Sequence, residues 1–298
     1  MNNFYSSKKG FLGLEKNISF TESKVIVLPY GLENTVSFMG GTRKGPKAIL
    51  KASHEVELFD EELWSNNSEK LKILTMKEPK IPSSLSKALR QLSIIVNDLL
   101  LQNKLPVVLG GEHSITPAIL ESYKNQELII IHFDAHADLR NEYNGEKFSH
   151  ASALRRCLDN ENVELISFGI RNISDEEVEF YEKNRDRVQI FFMNDKEKWN
   201  LDKVAKKVKN KKIYISFDVD CFDISIMPAT GTPEPGGMLW NDCLKILKDI
   251  IFKSSLIGFD VNELSPIPGG HAYDFLVAKL VYKILNYNFV SQNKVNSN

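Results

Sequence analysis

Residues 128–138 have the sequence Leu-Ile-Ile-Ile-His-Phe-Asp-Ala-His-Ala-Asp, in which a short apolar run changes abruptly to carboxylate and imidazole side chains. The run Leu128–Phe133 is too short for a typical helix and lacks the alternation of a half-exposed strand. It therefore predicts a strand that is buried on both faces, as in a parallel sheet covered by helices. The polar residues that follow would lie at the carboxyl end of that strand, where open α/β sheets bind their ligands.

Seven other short apolar runs are also predicted as strands: residues 24–29, 72–75, 105–109, 164–168, 188–193, 213–217 and 256–259. Helical patterns lie between them, most clearly at 84–102, where apolar residues recur at spacings of three and four. Ser174 and Glu177 have the spacing of a capping box at the start of another helix. Alternating strands and helices predict a predominantly parallel sheet with helices on both faces.

We therefore expect a single three-layer α/β/α domain over residues 1–298, with a predominantly parallel eight-stranded sheet. Its core is expected within residues 24–286, and the polar segment 291–298 is expected to fray.

The composition excludes several classes of protein. The chain is 42% hydrophobic and carries 38 basic against 39 acidic residues, so it is neither disordered nor suited to binding nucleic acid. The lysine-rich segment 203–212 includes an apolar stripe, which favours a solvated helix face. No apolar run reaches the roughly 18 residues of a membrane span, and residues 1–10 lack a signal-peptide core. We expect a cytoplasmic protein without membrane or nucleic-acid partners, and three cysteines argue against a disulfide framework.

Six potential metal ligands follow three of the predicted strands. Because the carboxyl ends of parallel strands share one edge of a sheet, and positions two apart in extended chain point the same way, these groups should converge. Any one of the acids taken alone would be expected to cap a helix or face solvent, but that explanation does not suit six groups at three strand ends. The six groups are His113, Asp134, His136, Asp138, Asp218 and Asp220.

Carboxylates crowded in this way would repel one another or take up protons unless cations bind between them. Six ligands exceed the three or four protein ligands usual for one tetrahedral zinc, and predict two divalent ions that share bridging carboxylates. Oxygen-rich ligation with some imidazole favours Mn²⁺, although cobalt, iron or nickel could occupy the same site. His132 lies within the apolar run and is interpreted as a packed or ligand-supporting histidine.

The sequence resembles the ureohydrolase family, which includes arginase and agmatinase. The order and spacing of the shared motifs match over residues 24–286, and Gly41-Thr42-Arg43 and Pro266-Ile267-Pro268-Gly269 are most similar to agmatinases. Glu112 stands where many members have Asp, a change expected to matter little. The principal motifs are Gly110-Gly111-Glu112-His113-Ser114, Phe133-Asp134-Ala135-His136-Ala137-Asp138, Ser216-Phe217-Asp218-Val219-Asp220 and Gly231-Thr232-Pro233-Glu234-Pro235-Gly236-Gly237.

The resemblance implies that Asp134 and Asp218 bridge two Mn²⁺ ions, with His113 and Asp138 completing one site and His136 and Asp220 the other. A water between the ions would supply the hydroxide that attacks a guanidinium carbon. Three side chains would complete the catalytic machinery. They are Glu263, which would bind the guanidinium, Asp138, which would accept the proton of the water, and His150, which would relay a proton to the departing amine.

By resemblance, the expected function is the hydrolysis of agmatine to putrescine and urea, a step of polyamine synthesis, in a homotrimer or homohexamer. N1-aminopropylagmatine, guanidinobutyrate, arginine and formiminoglutamate are alternative substrates. A two-metal phosphoesterase is a different class, but it would require Arg or Lys at the strand ends, which offer mainly acids. A non-catalytic metal-binding regulator would be expected to have lost Asp138, His150 or Glu263, and all three are present.

Charged residues near the motifs bear on the choice of substrate. The loop 139–149 carries Arg140, Glu142 and Glu146, and the later proline-rich motif carries Glu234. Any of these acids could attract the distal ammonium of a polyamine and repel a carboxylate. Arg140 argues the other way, since it could pair with a substrate carboxylate, but it adjoins Asp138 and is equally expected to pair with a nearby acid.

Overall fold

The computed structural model describes residues 3–295 and contains one eight-stranded sheet in which every neighbouring pair of strands is parallel. The strand order is β4-β1-β5-β10-β9-β6-β7-β8. The predicted parallel sheet and all eight of its strands are confirmed. The strands are β1 (Val25–Tyr30), β4 (Ile73–Thr75), β5 (Leu105–Gly110), β6 (Leu128–Phe133), β7 (Val163–Ile170), β8 (Val188–Phe192), β9 (Lys212–Asp218) and β10 (Ser255–Asn262).

Helices cover both faces of the sheet, with α1, α6, α7 and α8 packed on one face and α2, α3, α4 and α5 on the other. Strand β6 is apolar at nearly every position because both of its faces are covered. Ile129 and Ile131 pack against the layer of α1, α6, α7 and α8, and Leu128 and Ile130 pack against the layer of α2, α3, α4 and α5. The helices are α1 (Gly45–Ser53), α2 (Leu85–Leu101), α3 (Thr116–Leu120), α4 (Ala153–Cys157), α5 (Asp175–Lys183), α6 (Leu201–Val208), α7 (Trp240–Ile251) and α8 (His271–Val295).

The local helix signals are confirmed. Helix α2 begins immediately after Ser84, and helix α5 has both hydrogen bonds of the predicted capping box between Ser174 and Glu177. The lysine-rich segment forms α6, whose buried side includes Val204 and Val208. Among residues 3–295, no helix is both long enough and apolar enough to cross a membrane.

Two features depart from the sequence-based expectations. A small antiparallel hairpin, formed by β2 (Phe59–Asp60) and β3 (Ser65–Asn66), was not predicted because two-residue strands have no recognisable alternation. The predicted fraying from residue 291 is wrong as far as Val295, because α8 continues to that residue. Ser291 is buried, and its hydroxyl donates a 3.1 Å hydrogen bond to the Ile251 carbonyl. Residues 296–298 lie outside the described part of the chain.

The four central strands, β5, β10, β9 and β6, place the functional residues. Their register aligns Asn262 with Asp218 and Phe133 with Phe217, so the strands end together at one edge of the sheet. The predicted polar residues therefore emerge side by side although they are widely separated in the chain.

Candidate metal centre and active site

A cavity of about 150 Å³ opens at the carboxyl ends of these central strands. It brings together seven of the eight predicted site residues, and the eighth, Asp134, lies almost completely buried against them. The seven lining residues are His113, His136, Asp138, His150, Asp218, Asp220 and Glu263.

The imidazole of His113 faces three carboxylates. Its Nδ1 lies 3.1 Å from an oxygen of Asp134, 3.1 Å from one of Asp138 and 3.5 Å from one of Asp218. Nδ1 is buried, yet none of these contacts has the geometry of a hydrogen bond. The other ring nitrogen, Nε2, lies 2.8 Å from the hydroxyl oxygen of Ser216. One nitrogen and three oxygens that converge without hydrogen bonds between the nitrogen and the oxygens form a donor set that suits a divalent cation.

A second donor set lies next to the first. The Nδ1 atom of His136 is 3.0 Å from Asp220 Oδ2 and 3.5 Å from Asp134 Oδ1, whereas Asp134 Oδ2 faces His113. Asp134 thus presents one oxygen to each set, as a bridging ligand would. Backbone amides fix these carboxylates, because His136 donates to Asp134 at 2.6 Å and Ala135 donates to Asp220 at 2.9 Å.

The charges in this cluster are not balanced by the protein alone. Burial raises the pKa of Asp218 well above its ordinary value, and repulsion from Asp220 and Asp134 adds to the effect. Burial and the charge of Asp134 likewise raise the pKa of Asp138 to about 6. Although burial opposes it, the carboxylate of Asp220 raises the pKa of His136 to about 12. The cluster therefore attracts positive charge strongly, and the residues present fit two divalent cations.

His132 supports Asp134 from within β6. It is fully buried, with Nε2 2.8 Å from Asp134 Oδ2 and Nδ1 3.0 Å from the hydroxyl oxygen of Ser167. Although it lies close enough to His113 and Asp134 to complete a trio of potential ligands, both of its nitrogens are already engaged. This arrangement agrees with the interpretation of His132 as a ligand-supporting residue.

The ligands converge by a different route from the one that the sequence predicts. Strand β6 ends at Phe133, and Asp138 has a positive φ of 51°, so Asp134, His136 and Asp138 do not form one extended row. Asp220 lies in a short 3-10 turn, Val219–Cys221, directly after β9. The prediction of an alternating row is wrong, because turns after the strands and not strand pleating aim these side chains.

Glu263 follows β10 and is anchored next to the metal ligands. Its Oε1 accepts a 2.6 Å hydrogen bond from the backbone N–H of His113, and its own N–H donates to the Gly111 carbonyl at 2.7 Å. The positive φ of 66° turns the residue into the cavity wall. Within the described part of the chain, Oε2 accepts no hydrogen bond, so the carboxylate retains an oxygen for a ligand.

His150 lines the same cavity and begins a 3-10 turn, His150–Ser152. Its Nδ1 is 3.2 Å from the hydroxyl oxygen of Thr35. Burial, together with the positive charges of His113 and His136, lowers the pKa of His150 to about 4. The imidazole is therefore neutral at pH 7 in the metal-free protein.

Several contributing residues were not found by sequence reasoning. Glu112 was expected to matter little, but it is fully buried and accepts four hydrogen bonds, three of them from Asn34 and Thr35. The position of Glu112 next to the candidate ligand His113 was the one feature of the sequence that could have indicated its role. The Arg171 guanidinium donates to the carbonyls of Asp220 and Glu234, each at 2.7 Å, and fixes both segments.

The charged residues proposed for substrate selection have different positions. Glu142 is exposed and Glu146 accepts a local hydrogen bond from Phe148, and neither lines the cavity. Glu234 is not a lining residue either, but it lies at the rim beside two that are: it is 4.0 Å from His136 Nε2 and accepts a 2.6 Å hydrogen bond from the amide of Asn172.

Arg140 lines the cavity, and its guanidinium lies 5.5 Å from the ring centre of Tyr143. Within residues 3–295, it forms no ion pair, so the expectation that it pairs with an acid is wrong. The guanidinium instead lies within the range of a cation–π contact with Tyr143.

Comparisons with known proteins show the family to which this chain belongs. The family model for the Arginase family matches residues 23–286. An N(1)-aminopropylagmatine ureohydrolase from Synechocystis sp. is 32% identical, with 98% of each chain covered. An agmatinase from Pyrococcus horikoshii is 29% identical over 90% of this chain and 93% of its own. The crystal structure of an agmatine ureohydrolase from Thermoplasma volcanium has a TM-score of 0.84 at 28% identity, with 96% of each chain covered.

Proposed function

Since this chain belongs to the Arginase family and is a ureohydrolase, an enzyme that cleaves a guanidino C–N bond, we propose that it releases urea from a guanidino compound with an amine at its far end. Agmatine, which gives putrescine and urea, and N1-aminopropylagmatine are the two candidates. The observation that carries the proposal is the buried Nδ1 of His113, which faces three carboxylates beside Glu263.

We propose two Mn²⁺ ions per chain, because the ligands are mainly oxygens with two imidazoles. When bound, the ions would lower the pKa of a shared water from about 15.7 toward 7 and so make hydroxide available at neutral pH. The ligands proposed for one ion are His113, Asp134, Asp138 and Asp218, and those for the other are Asp134, His136, Asp218 and Asp220.

The protein's own residues then have separate tasks. Glu263 would hold the guanidinium in plane through Oε2, since Oε1 is fixed by the backbone of His113. The free oxygen of Asp138 would take the proton of the attacking water. Nε2 of neutral His150 would accept the proton that Asp138 has taken from the water and pass it to the departing nitrogen as the C–N bond breaks. The new hydroxyl then loses its proton to Asp138, so the products are urea, a neutral amine and one proton.

Replacing His150 with Ala should lower kcat by roughly 10²-fold or more, the range usual for general acid–base groups, while metal content stays at the wild-type level. The reason is that His150 lines the cavity, is held by Thr35 and forms no ion pair with the clustered carboxylates in the described part of the chain. Urea-release kinetics and elemental analysis test both parts. His271, which is exposed at the start of α8, provides the control His271→Ala. Loss of metal in His150→Ala would instead make His150 a ligand.

We expect kcat/KM for agmatine or N1-aminopropylagmatine to exceed that for arginine by at least about tenfold. The carboxylate of Glu234 at the rim would attract a distal ammonium and repel the α-carboxylate of arginine. A urea-release assay with Mn²⁺ over a panel of guanidino compounds measures the ratio. A ratio near or below one would reject an amine-tailed substrate and leave ureohydrolase chemistry intact.

The cavity position of Arg140 favours a second candidate, a substrate with a carboxylate tail such as guanidinobutyrate or arginine. In that case, Arg140→Gln should raise KM for the carboxylate-tailed compound and leave agmatine unaffected. The same panel therefore separates the two candidates.

Glu234→Gln should raise KM for the amine-tailed substrate by about fivefold, the upper range for a partly exposed ion pair. A larger effect is not expected because one third of the Glu234 side chain is exposed to solvent. The control is Glu142→Gln, since Glu142 is exposed, whereas Glu234 contacts the lining residues His136 and Asn172. Equal behaviour of the two variants would remove Glu234 from substrate binding.

A further inference from the structure

The hydroxyl of Thr35 lies between two groups that the sequence separates widely. Thr35 Oγ1 is 3.1 Å from Glu112 Oε1 and 3.2 Å from His150 Nδ1, and it accepts a 3.0 Å hydrogen bond from the backbone N–H of His150. The hydroxyl therefore has three neighbours and one proton to donate.

The position of that proton follows from the chemistry of the neighbours. Glu112 accepts hydrogen bonds from two backbone amides and the hydroxyl of Ser114, so both of its carboxylate oxygens act as acceptors. If the Thr35 hydroxyl donated to His150 Nδ1, two oxygens would face each other at 3.1 Å without a proton between them. If it donates to Glu112, its remaining lone pair can accept a proton that lies on His150 Nδ1. The second arrangement satisfies every group.

We propose that Thr35, oriented by Glu112, is a positioning residue that holds neutral His150 in the tautomer with its proton on Nδ1. The unprotonated Nε2 is then the nitrogen available to accept a proton in the cavity. This inference rests on the proposed role of His150 as the proton relay.

The surrounding contacts leave this task to Thr35. The ring of Tyr143 packs edge-on against His150 at 5.7 Å, which limits rotation of the imidazole but does not distinguish its two nitrogens. Within the described part of the chain, Nε2 forms no hydrogen bond. The hydroxyl of Thr35 is thus the contact that decides where the proton of the neutral ring lies.

Glu112 gives Thr35 a fixed position. Glu112 Oε2 accepts the backbone N–H groups of Asn34 at 2.7 Å and Thr35 at 2.6 Å, so one carboxylate orients both the hydroxyl and the backbone that carries it. Farther along the loop, Glu33 accepts the N–H groups of Gly41 and Arg43 at 2.7 and 2.9 Å. The hydroxyl is therefore held to His150 by a loop that carboxylates fix at two places.

A double-mutant cycle tests whether Thr35 acts through His150. Thr35→Val keeps the side-chain shape without the hydroxyl, and Thr35→Ser keeps the hydroxyl. In the Mn²⁺-loaded enzyme, Thr35→Val should lower kcat by at least about tenfold with KM within about twofold, and Thr35→Ser should restore most of kcat. In the His150→Ala background, Thr35→Val should change kcat less than about twofold. Thr21→Val, at an exposed threonine outside the cavity, is the matched control.

An equal loss in both backgrounds would assign Thr35 to loop structure alone and overturn the proposal. Wild-type kcat in Thr35→Val would overturn it as well.

A second measurement does not depend on turnover. In protein loaded with Zn²⁺ and labelled with ¹⁵N-histidine, the His150 signals are those that disappear in His150→Ala. Above pH 7 we expect the Nδ1–H tautomer in the wild type and Thr35→Ser, and a mixture or the Nε2–H tautomer in Thr35→Val. A wild-type ring protonated on Nε2 would refute the proposal. If no guanidino compound were hydrolysed, the proposed function would fail while this spectrum still decided the role of Thr35.

Discussion

Asp134→Asn is expected to lose both metal ions and to reduce urea release below detection. The two oxygens of Asp134 face different imidazoles, His113 and His136, so one substitution weakens both donor sets and removes a negative charge from between them. A bridging carboxylate stabilises two cations at once, which a neutral amide does not. Elemental analysis and urea-release kinetics of the same preparation measure the two effects.

His113→Ala is the comparison for this prediction, because His113 contributes to only one donor set. This substitution should preferentially empty the metal site that His113 helps to form. A fully active, metal-replete wild-type enzyme with one tightly bound ion per chain would contradict the two-metal site. Retention of both ions in Asp134→Asn would show that Asp134 does not bridge.

Glu263→Gln is expected to lower kcat/KM by roughly 30-fold to several thousand-fold, which corresponds to about 2–5 kcal/mol for removing one partner of a desolvated charge pair. Gln can still accept the hydrogen bond from the His113 amide, so the backbone next to the metal ligand should keep its position. What it lacks is the negative charge that would pair with a guanidinium.

Steady-state kinetics with the preferred guanidino substrate measure this loss, and metal content should stay at the wild-type level. Glu121→Gln is the control, since Glu121 forms an exposed ion pair with Lys124. An unchanged kcat/KM in Glu263→Gln would mean that another group binds the guanidinium.

The sequence predicted the fold well because its strands carry a strong physical signal. A run such as Leu128–Phe133 is apolar at every position since both faces of β6 are covered, and few other environments require this pattern. The convergence of the candidate ligands also followed, because polar side chains directly after buried strands meet at one edge. The hairpin of β2 and β3 gave no comparable signal, since its strands are two residues long.

The orientation of individual side chains could be predicted less well from the sequence. The positive φ angles of Asp138 and Glu263 are imposed by tertiary contacts, such as the hydrogen bond from Glu263 to Gly111, and no local sequence pattern encodes them. The contact between Thr35 and His150 spans 115 residues, so spacing along the chain could not reveal it. The exposure of Glu142 and the aromatic contact of Arg140 likewise depend on how one loop folds back on itself.

The position of β10 in the sheet has a consequence for how the chain folds. β10 is the last strand in the sequence, yet it pairs with β5 on one side and β9 on the other. Until it is in place, three strands and four strands form two separate sheets, each with an unpaired edge. Pairings over such long separations in sequence are slow to form, and open edges invite association with other chains. A chain that ends before Ser255 should therefore aggregate, and the metal ligands meet only once synthesis is nearly complete.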